Sequence, residues 1–180
     1  HFEKMLYDNA QLSQIYLEAF QVTDDPLYRK VATETLDYVL RDMLDADGGF
    51  YAAEDADSEG HEGKFYVWSP KEIIPVLGAE DAKLFNSYFD VTEGGNFEGK
   101  SILNRPISHA AFSRARKLEP KALQTRLDAM RTKLMAERDK RIRPRRDDKV
   151  LTSWNALMIS SFVLGHNVMQ DQRYYSIVLL

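Results

Sequence analysis

Residues 9–28, NAQLSQIYLEAFQVTDDPLY, return 146 positions later as NALMISSFVLGHNVMQDQRY over residues 155–174. Asn9, Ala10, Asp25 and Tyr28 fall on Asn155, Ala156, Asp171 and Tyr174, while Leu12 meets Met158, Tyr16 meets Phe162 and Ala19 meets Gly165. Both copies read as a helix, a short turn and a second helix that starts in the same register. In the first copy Met5, Leu12, Ile15, Tyr16, Ala19 and Phe20 recur at helical spacing until Val22, and Thr23-Asp24-Asp25-Pro26 then breaks the pattern. Pro26 suits the first residue of the next helix, with Asp25 as its N-cap. That helix, from Leu27 to about Leu44, carries Val31, Leu36, Val39 and Met43 and ends at Asp47-Gly48-Gly49. One hairpin cannot bury its own apolar face, so a repeated hairpin predicts units stacked side by side.

Between the copies lies GGFYAAEDADSEGHEGKFYVW, residues 48–68. Its aromatic runs predict two short antiparallel strands, about Gly49–Ala53 and Lys64–Trp68, closed by a loop holding Glu54, Asp55, Asp57, Glu59 and Glu62. Ser69-Pro70-Lys71-Glu72 is a capping box that launches a short helix ended by Gly78. Further helices are predicted over Asp81–Phe89, Ala110–Leu118, Lys121–Asp139 and Thr152–Met169, with the loop VTEGGNFEGKSILNRP after the first of them.

With 180 residues, 44% of them hydrophobic, the chain can build a sizeable core, and its charge of −4 argues against a nucleic-acid footprint. No apolar run reaches the roughly 18 residues that a membrane helix needs. The absence of cysteine removes disulfides, thiolate metal sites and thiol nucleophiles, and a cytoplasmic location is expected. A chain opening on HFEKMLYDNA and closing on YYSIVLL also reads as a piece of a longer one.

Two motifs invite chemistry and fail on context. Asp55-Ala-Asp57-Ser-Glu59-Gly60 resembles half a calcium loop, but its twelfth position is Tyr66 instead of a bidentate Glu, and its flanks read as strands. GGNFEGKS, residues 94–101, fits G-x-x-x-x-G-K-[ST], yet Asn104-Arg105-Pro106 cuts off the helix that must follow, and Glu98 sets a carboxylate near the anion. No metal site and no cofactor are expected.

Other residues carry two readings each. Asn9 and Asn155 lie inside the apolar stripes, where a buried amide either lines a polar interior or bonds a neighbouring helix end, and Asp8 shares that ambiguity. His61, His109 and His166 form no triad or zinc spacing. His166 stands eleven positions after Asn155, on nearly the same helix face, either as a proton carrier or as an interface histidine. Arg143-Pro-Arg145-Arg146-Asp147-Asp148-Lys149 is either a self-paired capped loop or a charged rim for polar substrate groups, with Trp154 offering a stacking face.

Taken together, HFEKMLYDNA, GGFYAAEDADSEGHEGKFYVWSPKEI and DDKVLTSWNALMI resemble the thioredoxin-domain-containing proteins of the spermatogenesis-associated, YyaL type, over nearly the whole chain. The resemblance implies a mainly α fold: a partial (α/α)6 toroid of helical hairpins with an inserted β-ribbon. The chain would supply about half of the barrel, without the thioredoxin-like domain and the remaining hairpins. Similar toroids occur in N-acylglucosamine 2-epimerases and six-hairpin glycosidases, which points to a sugar-active enzyme. At the family-motif positions stand His1, Glu3, Asp8, Asn9, Glu54, Asp55, Asp57, Asp147, Asp148, Trp154 and Asn155. An epimerase needs two bases, for which His1 and His166 are the imidazoles at hand; a hydrolase could use Asp55 with Asp57 or Asp8. Glu3, Asn9, Glu54, Asp147, Asp148 and Asn155 would hold sugar hydroxyls, and Tyr66 and Trp154 would stack on sugar faces. The alternative is a non-catalytic binding or scaffold toroid. In either case half a toroid leaves apolar faces uncovered, predicting self-association.

Overall fold

The computed structural model describes residues 2–179. In chain order the elements are β1 (Lys4–Met5), α1 (Leu6–Thr23), α2 (Pro26–Tyr38), β2 (Ala53–Glu54), β3 (Asp57–Ser58), β4 (His61–Glu62), α3 (Pro70–Leu77) and α4 (Ala79–Phe89). They continue with α5 (His109–Arg116), α6 (Pro120–Arg138), β5 (Arg146–Asp147), α7 (Thr152–Met169) and α8 (Gln172–Val178). A turn of π-helix, Val39–Met43, prolongs α2. The chain divides into two compact units, one formed by the residues up to Ala56 with those from Pro144 onward, the other by Asp57–Arg143. No helix among the described residues is long and apolar enough to cross a membrane.

The first unit carries the repeat down to its caps. Helices α1 and α7 each run 18 residues and stop at a left-handed residue, Asp24 at φ 54° and Gln170 at φ 57°. Asp25 then accepts a hydrogen bond from the Leu27 N–H at 2.8 Å, and Asp171 accepts one from the Arg173 N–H at 2.9 Å, starting α2 and α8 alike. Tyr16 meets Tyr28 with ring centroids 6.0 Å apart, and Phe162 meets Tyr174 at 5.6 Å. Helix α1 packs against both α2 and α7, and α7 against α8. Between them Leu6, Leu17, Leu36, Met43, Phe50, Met158, Phe162 and Tyr174 form the core.

Two expectations need correction here. Leu12 and Ile15, read as part of the buried stripe, are 51% and 55% exposed, and the buried ridge is Leu6, Ala10, Ser13 and Leu17. Helix α1 is apolar on more than one face, so periodicity shows the helix without choosing its inner side. The ribbon pairing Gly49–Ala53 with Lys64–Trp68 does not form either. Ala53–Glu54 is the middle strand of a three-stranded antiparallel sheet, with Lys4–Met5 on one side and Arg146–Asp147 on the other. Phe50 bridges to Leu44 and Trp68 to Ser101. Each aromatic run thus found a partner from another part of its own unit.

In the second unit the ribbon shrinks to β3 and β4, joined by Glu59 and Gly60, both at positive φ as a tight hairpin demands. The rest is helical. Ser69 and Glu72 form the expected capping box, Gly78 closes α3 at φ 80°, and Glu119 caps α6 by accepting from the Lys121 and Ala122 N–H groups at 2.9 and 2.6 Å. Ile73, Phe85, Tyr88, Phe112, Leu127 and Met130 are among the buried side chains of its core.

Candidate functional site

The three-stranded sheet determines where the charged residues of the first unit meet. Ala52 donates from its N–H to the Asp147 carbonyl at 3.1 Å, and Asp55 donates to the Arg145 carbonyl at 2.8 Å, so the acidic segment and the arginine segment run side by side. The Leu6 N–H donates to the Ala52 carbonyl at 2.9 Å, tying the start of α1 to the same strand. Asn155, in the first turn of α7, clamps the chain just before it. Its Oδ1 accepts from the Phe50 N–H at 2.7 Å, and its Nδ2 donates to the Phe50 carbonyl and the Leu151 carbonyl at 3.0 Å each. A side chain at Gly49 would meet Val150 Cγ1 at 3.1 Å and would have to adopt φ 87°, so the clamp also requires a glycine.

These contacts frame a cleft of about 860 Å³ lined by Glu3, Met5, Ala52, Ala53, Asp55, Arg145, Arg146, Asp147, Asp148, Lys149, Leu151 and Trp154. Four carboxylates and three cations share it with one indole. The Arg146 Nε donates to Asp148 Oδ1 at 2.6 Å and its Nη1 to the Asp42 carbonyl at 3.3 Å, while its guanidinium lies 3.8 Å from the centroid of the Tyr51 ring. The hydrogen bond to Asp148 raises the Arg146 pKa. Asp147 is held below the usual carboxylate range by the hydrogen bond from the Lys149 ammonium at 3.0 Å and then by that from the Lys149 N–H. Burial, followed by the neighbouring Asp45, pushes the Tyr51 phenol up. Trp154 is half-buried and meets the Tyr7 ring edge-on at 4.8 Å.

Of the residues expected to form a site, the cleft gathers Glu3, Asp55, Asp147, Asp148 and Trp154. Others stand apart. Asp8 is exposed on α1, and the half-buried Asn9 donates to the Met5 carbonyl at 2.7 Å. Glu54 is buried, at 6% exposure, in the middle strand. Asn155 spends its amide on backbone groups, which is the structural side of its two readings. Asp57 and Tyr66 belong to the second unit, whereas Asp55 belongs to the first. His166 sits in the last turn of α7, with Nδ1 3.0 Å from the Asp171 carbonyl oxygen and its ring near Tyr175, so it organises the α7–α8 turn. His1 lies outside the described residues, and among them no histidine lines the cleft. The charged stretch before α7 pairs its charges with one another, as the first of its readings has it, and the same residues line the cleft. The residues missed as wall, Met5, Ala52, Ala53 and Leu151, are apolar, with no chemical signature in the sequence.

The two accidental motifs find local explanations. In residues 94–101 the Asn96 and Phe97 N–H groups donate to the Lys100 carbonyl at 2.9 Å, so the amides that would cradle a phosphate are already spent. Lys100 itself bonds Glu72 at 2.9 Å. In the acidic loop Glu59 pairs with Lys64 at 2.9 Å, and among the described residues no three His, Cys, Asp or Glu side chains are arranged to hold a metal ion.

The fold and site describe a mainly helical protein with a repeated hairpin clasped by a small sheet and a charged cleft beside it. The chain is similar to spermatogenesis-associated protein 20 of Homo sapiens, 36% identical over 96% of this chain and 25% of that protein. The Mus musculus protein of the same name is 36% identical over 91% of this chain and 24% of its own length. An uncharacterised protein of Caenorhabditis elegans is 31% identical over 97% of this chain and 27% of its length. The chain spans about a quarter of the length of the curated relatives it matches. These similarities support the spermatogenesis-associated family read from the sequence strings. No family model matches the chain.

Proposed function

We propose that the first unit is part of an (α/α)6 toroid whose cleft binds a carbohydrate and serves an epimerase-like or glycosidase-like reaction. The convergence of Glu3, Asp55, Asp147 and Asp148 with the Trp154 indole on one concave surface carries this reading. Carboxylates accept from sugar hydroxyls, cations donate to them, and an indole offers a flat apolar face. Asp147, held anionic by Lys149, suits hydroxyl binding better than proton donation. Asp55 and Glu3 are the carboxylates to test for acid or base work. Incubating the full-length protein with a panel of sugars and following solvent deuterium incorporation and released monosaccharide tests the reading. The expected result is one of the two signals, lost in Asp55→Asn with the fold intact; silence across the panel, together with no sugar binding by calorimetry, overturns it.

The internal pairing of Arg146 with Asp148 and of Lys149 with Asp147 favours a second reading, a scaffold whose charges hold the loop. In that case Arg146→Ala weakens the fold and leaves sugar binding absent in wild type and variant alike.

A further inference from the structure

Of the three cations that wall the cleft, two are already neutralised. The Arg146 Nε donates to Asp148 at 2.6 Å, and the Lys149 ammonium donates to Asp147 at 3.0 Å. Arg146 is held further by the Asp42 carbonyl and the Tyr51 ring. Arg145 differs from both. Its guanidinium makes no hydrogen bond and no ion pair with any other described residue, and it acts on Asp147 only through space, behind both bonds from Lys149. Its backbone is fixed nonetheless: the buried Pro144 precedes it, and its carbonyl accepts from the Asp55 N–H at 2.8 Å beside the three-stranded sheet. The main chain thus sets Arg145 at the wall of a cavity of about 860 Å³ that also holds the Trp154 indole, with its five N–H donors uncommitted to any described residue.

We infer that the ligand of the cleft is a sugar carrying an anionic group, a phosphate or a carboxylate, which the Arg145 guanidinium binds while Trp154 covers the sugar ring. This rests on the carbohydrate reading of the cleft and narrows it. Four carboxylates against three cations would repel an anion if all of them were free. Asp147 and Asp148 each sit on a cation of their own, however, which leaves Arg145 as the one cleft cation, among the described residues, that the wall itself does not use. A neutral sugar would offer that guanidinium only hydroxyls. An oxyanion accepts two of its N–H groups side by side, in shorter and stronger bonds than a hydroxyl makes. The planar fork suits phosphate and carboxylate alike, as a lysine ammonium does not. Fixing the charged end at Arg145 also orients the rest of the sugar in a cleft whose remaining free donors are few.

The test uses the full-length protein, so that every segment of the chain is in place and an Arg145 paired elsewhere in it would show as a missing preference. Calorimetric titrations compare glucose, galactose and mannose with their 6-phosphates and their uronates, with inorganic phosphate alongside. At least one anionic member is expected to bind ~10-fold or more tightly than its neutral parent, and the preference should shrink as potassium chloride is added. Whether the phosphate or the uronate arm carries the preference identifies the group. Arg145→Gln removes an exposed side chain that bonds no described residue, so the thermal midpoint should hold while the preference falls ~10-fold or more. Arg145→Lys should restore only part of it, because the charge returns without the fork. Neutral sugars that bind as tightly as their anionic forms would overturn the inference and leave the carbohydrate reading standing, whereas no sugar binding in any arm would overturn both. A preference that survives Arg145→Gln, or inorganic phosphate that binds as tightly as the sugar phosphates, would also overturn it.

Discussion

Asn155 and Phe50, 105 residues apart in the chain, exchange a complete pair of hydrogen bonds, side-chain amide to backbone N–H and carbonyl, in the buried interior. Replacing Asn155 by Ala removes both bonds and strands two buried backbone groups without water. The expected cost is about 3 kcal/mol, combining the lost bonds with the desolvation of the orphaned partners. Asn9, its counterpart, donates to the Met5 carbonyl of its own first turn and is half-buried, so Asn9→Ala should cost under ~1 kcal/mol. Urea midpoints for the two variants measure the contrast; equal losses would contradict the clamp.

That pair shows how far the sequence reads. The repeat, the Asp25 and Asp171 caps, the Ser69–Glu72 box and the helix spans were legible because each is written in neighbouring residues. The inner face of α1 was not, since Leu12 and Ile15 are as apolar as Leu6 and Leu17 and only the neighbouring helix decides between them. Strands of two residues such as Ala53–Glu54 hold no alternation to read, and their partners arrive from about 50 and 90 residues away. The cleft was half legible for the same reason: its charged wall stands out in Arg145–Lys149, whereas Asp55 is brought beside that wall by a backbone bond to Arg145, about 90 residues away in sequence. Asp57, two positions further, falls in the other unit.

Glu72 gives the second unit an acid-sensitive joint. Burial pushes its carboxyl up, but hydrogen bonds from Lys100 and from the Ser69 hydroxyl and N–H together outweigh burial and hold it below its ordinary value. A pKa lower in the folded state than in the unfolded one means that the stabilisation is present above the unfolded value, about 4.3, and lost as pH falls through the folded one. Wild type should therefore lose stability from about pH 5 downward, and Glu72→Gln should flatten that limb while lowering the urea midpoint at pH 7. Identical acid limbs would show that Glu72 contributes nothing to the pH dependence.

Arg141 completes the same joint. Its Nη1 donates to the Phe65 and Val67 carbonyls at 2.9 Å each, and its guanidinium lies 4.0 Å from the centroid of the Trp68 ring. A lysine ammonium cannot both stack flat on an indole and fork between two carbonyls. Arg141→Lys should cost about 2 kcal/mol although the charge is kept, a loss of about two hydrogen bonds. Thermal unfolding of the variant at neutral pH measures it, and an unchanged transition would reduce Arg141 to a surface charge.

Helix α5 ends on Lys117, a residue with a Cβ held at φ 54° and ψ 41°. Glycine adopts that region without the steric cost an L side chain carries, and Lys117 is exposed. Lys117→Gly should therefore stabilise by roughly 0.5–1 kcal/mol, the relief of left-handed strain exceeding the entropy returned to the unfolded chain. Lys117→Ala keeps the Cβ and should give no such gain. Comparing their thermal midpoints separates the two effects, and a gain in the alanine variant equal to that in the glycine variant would assign the effect to the lost charge instead.

Gly165 and Ala19 occupy the same position in the two hairpins and should respond very unequally to added volume. A Cβ on Gly165 would meet Leu36 Cδ1 at 2.8 Å and Tyr174 Cδ2 at 3.3 Å, both side chains fully buried with little room to move. Ala19 already carries its methyl and is half-buried on the open side of α1. Gly165→Val should cost about 3 kcal/mol through overpacking, more than the fraction of a kcal/mol by which valine outranks glycine as a helix former. Ala19→Val should cost under ~1 kcal/mol, the propensity difference alone. Chemical denaturation of both variants decides it: a Gly165→Val protein as stable as wild type would mean that α7 can slide away from Leu36, and the tight side of the repeat would then be as adjustable as its open one.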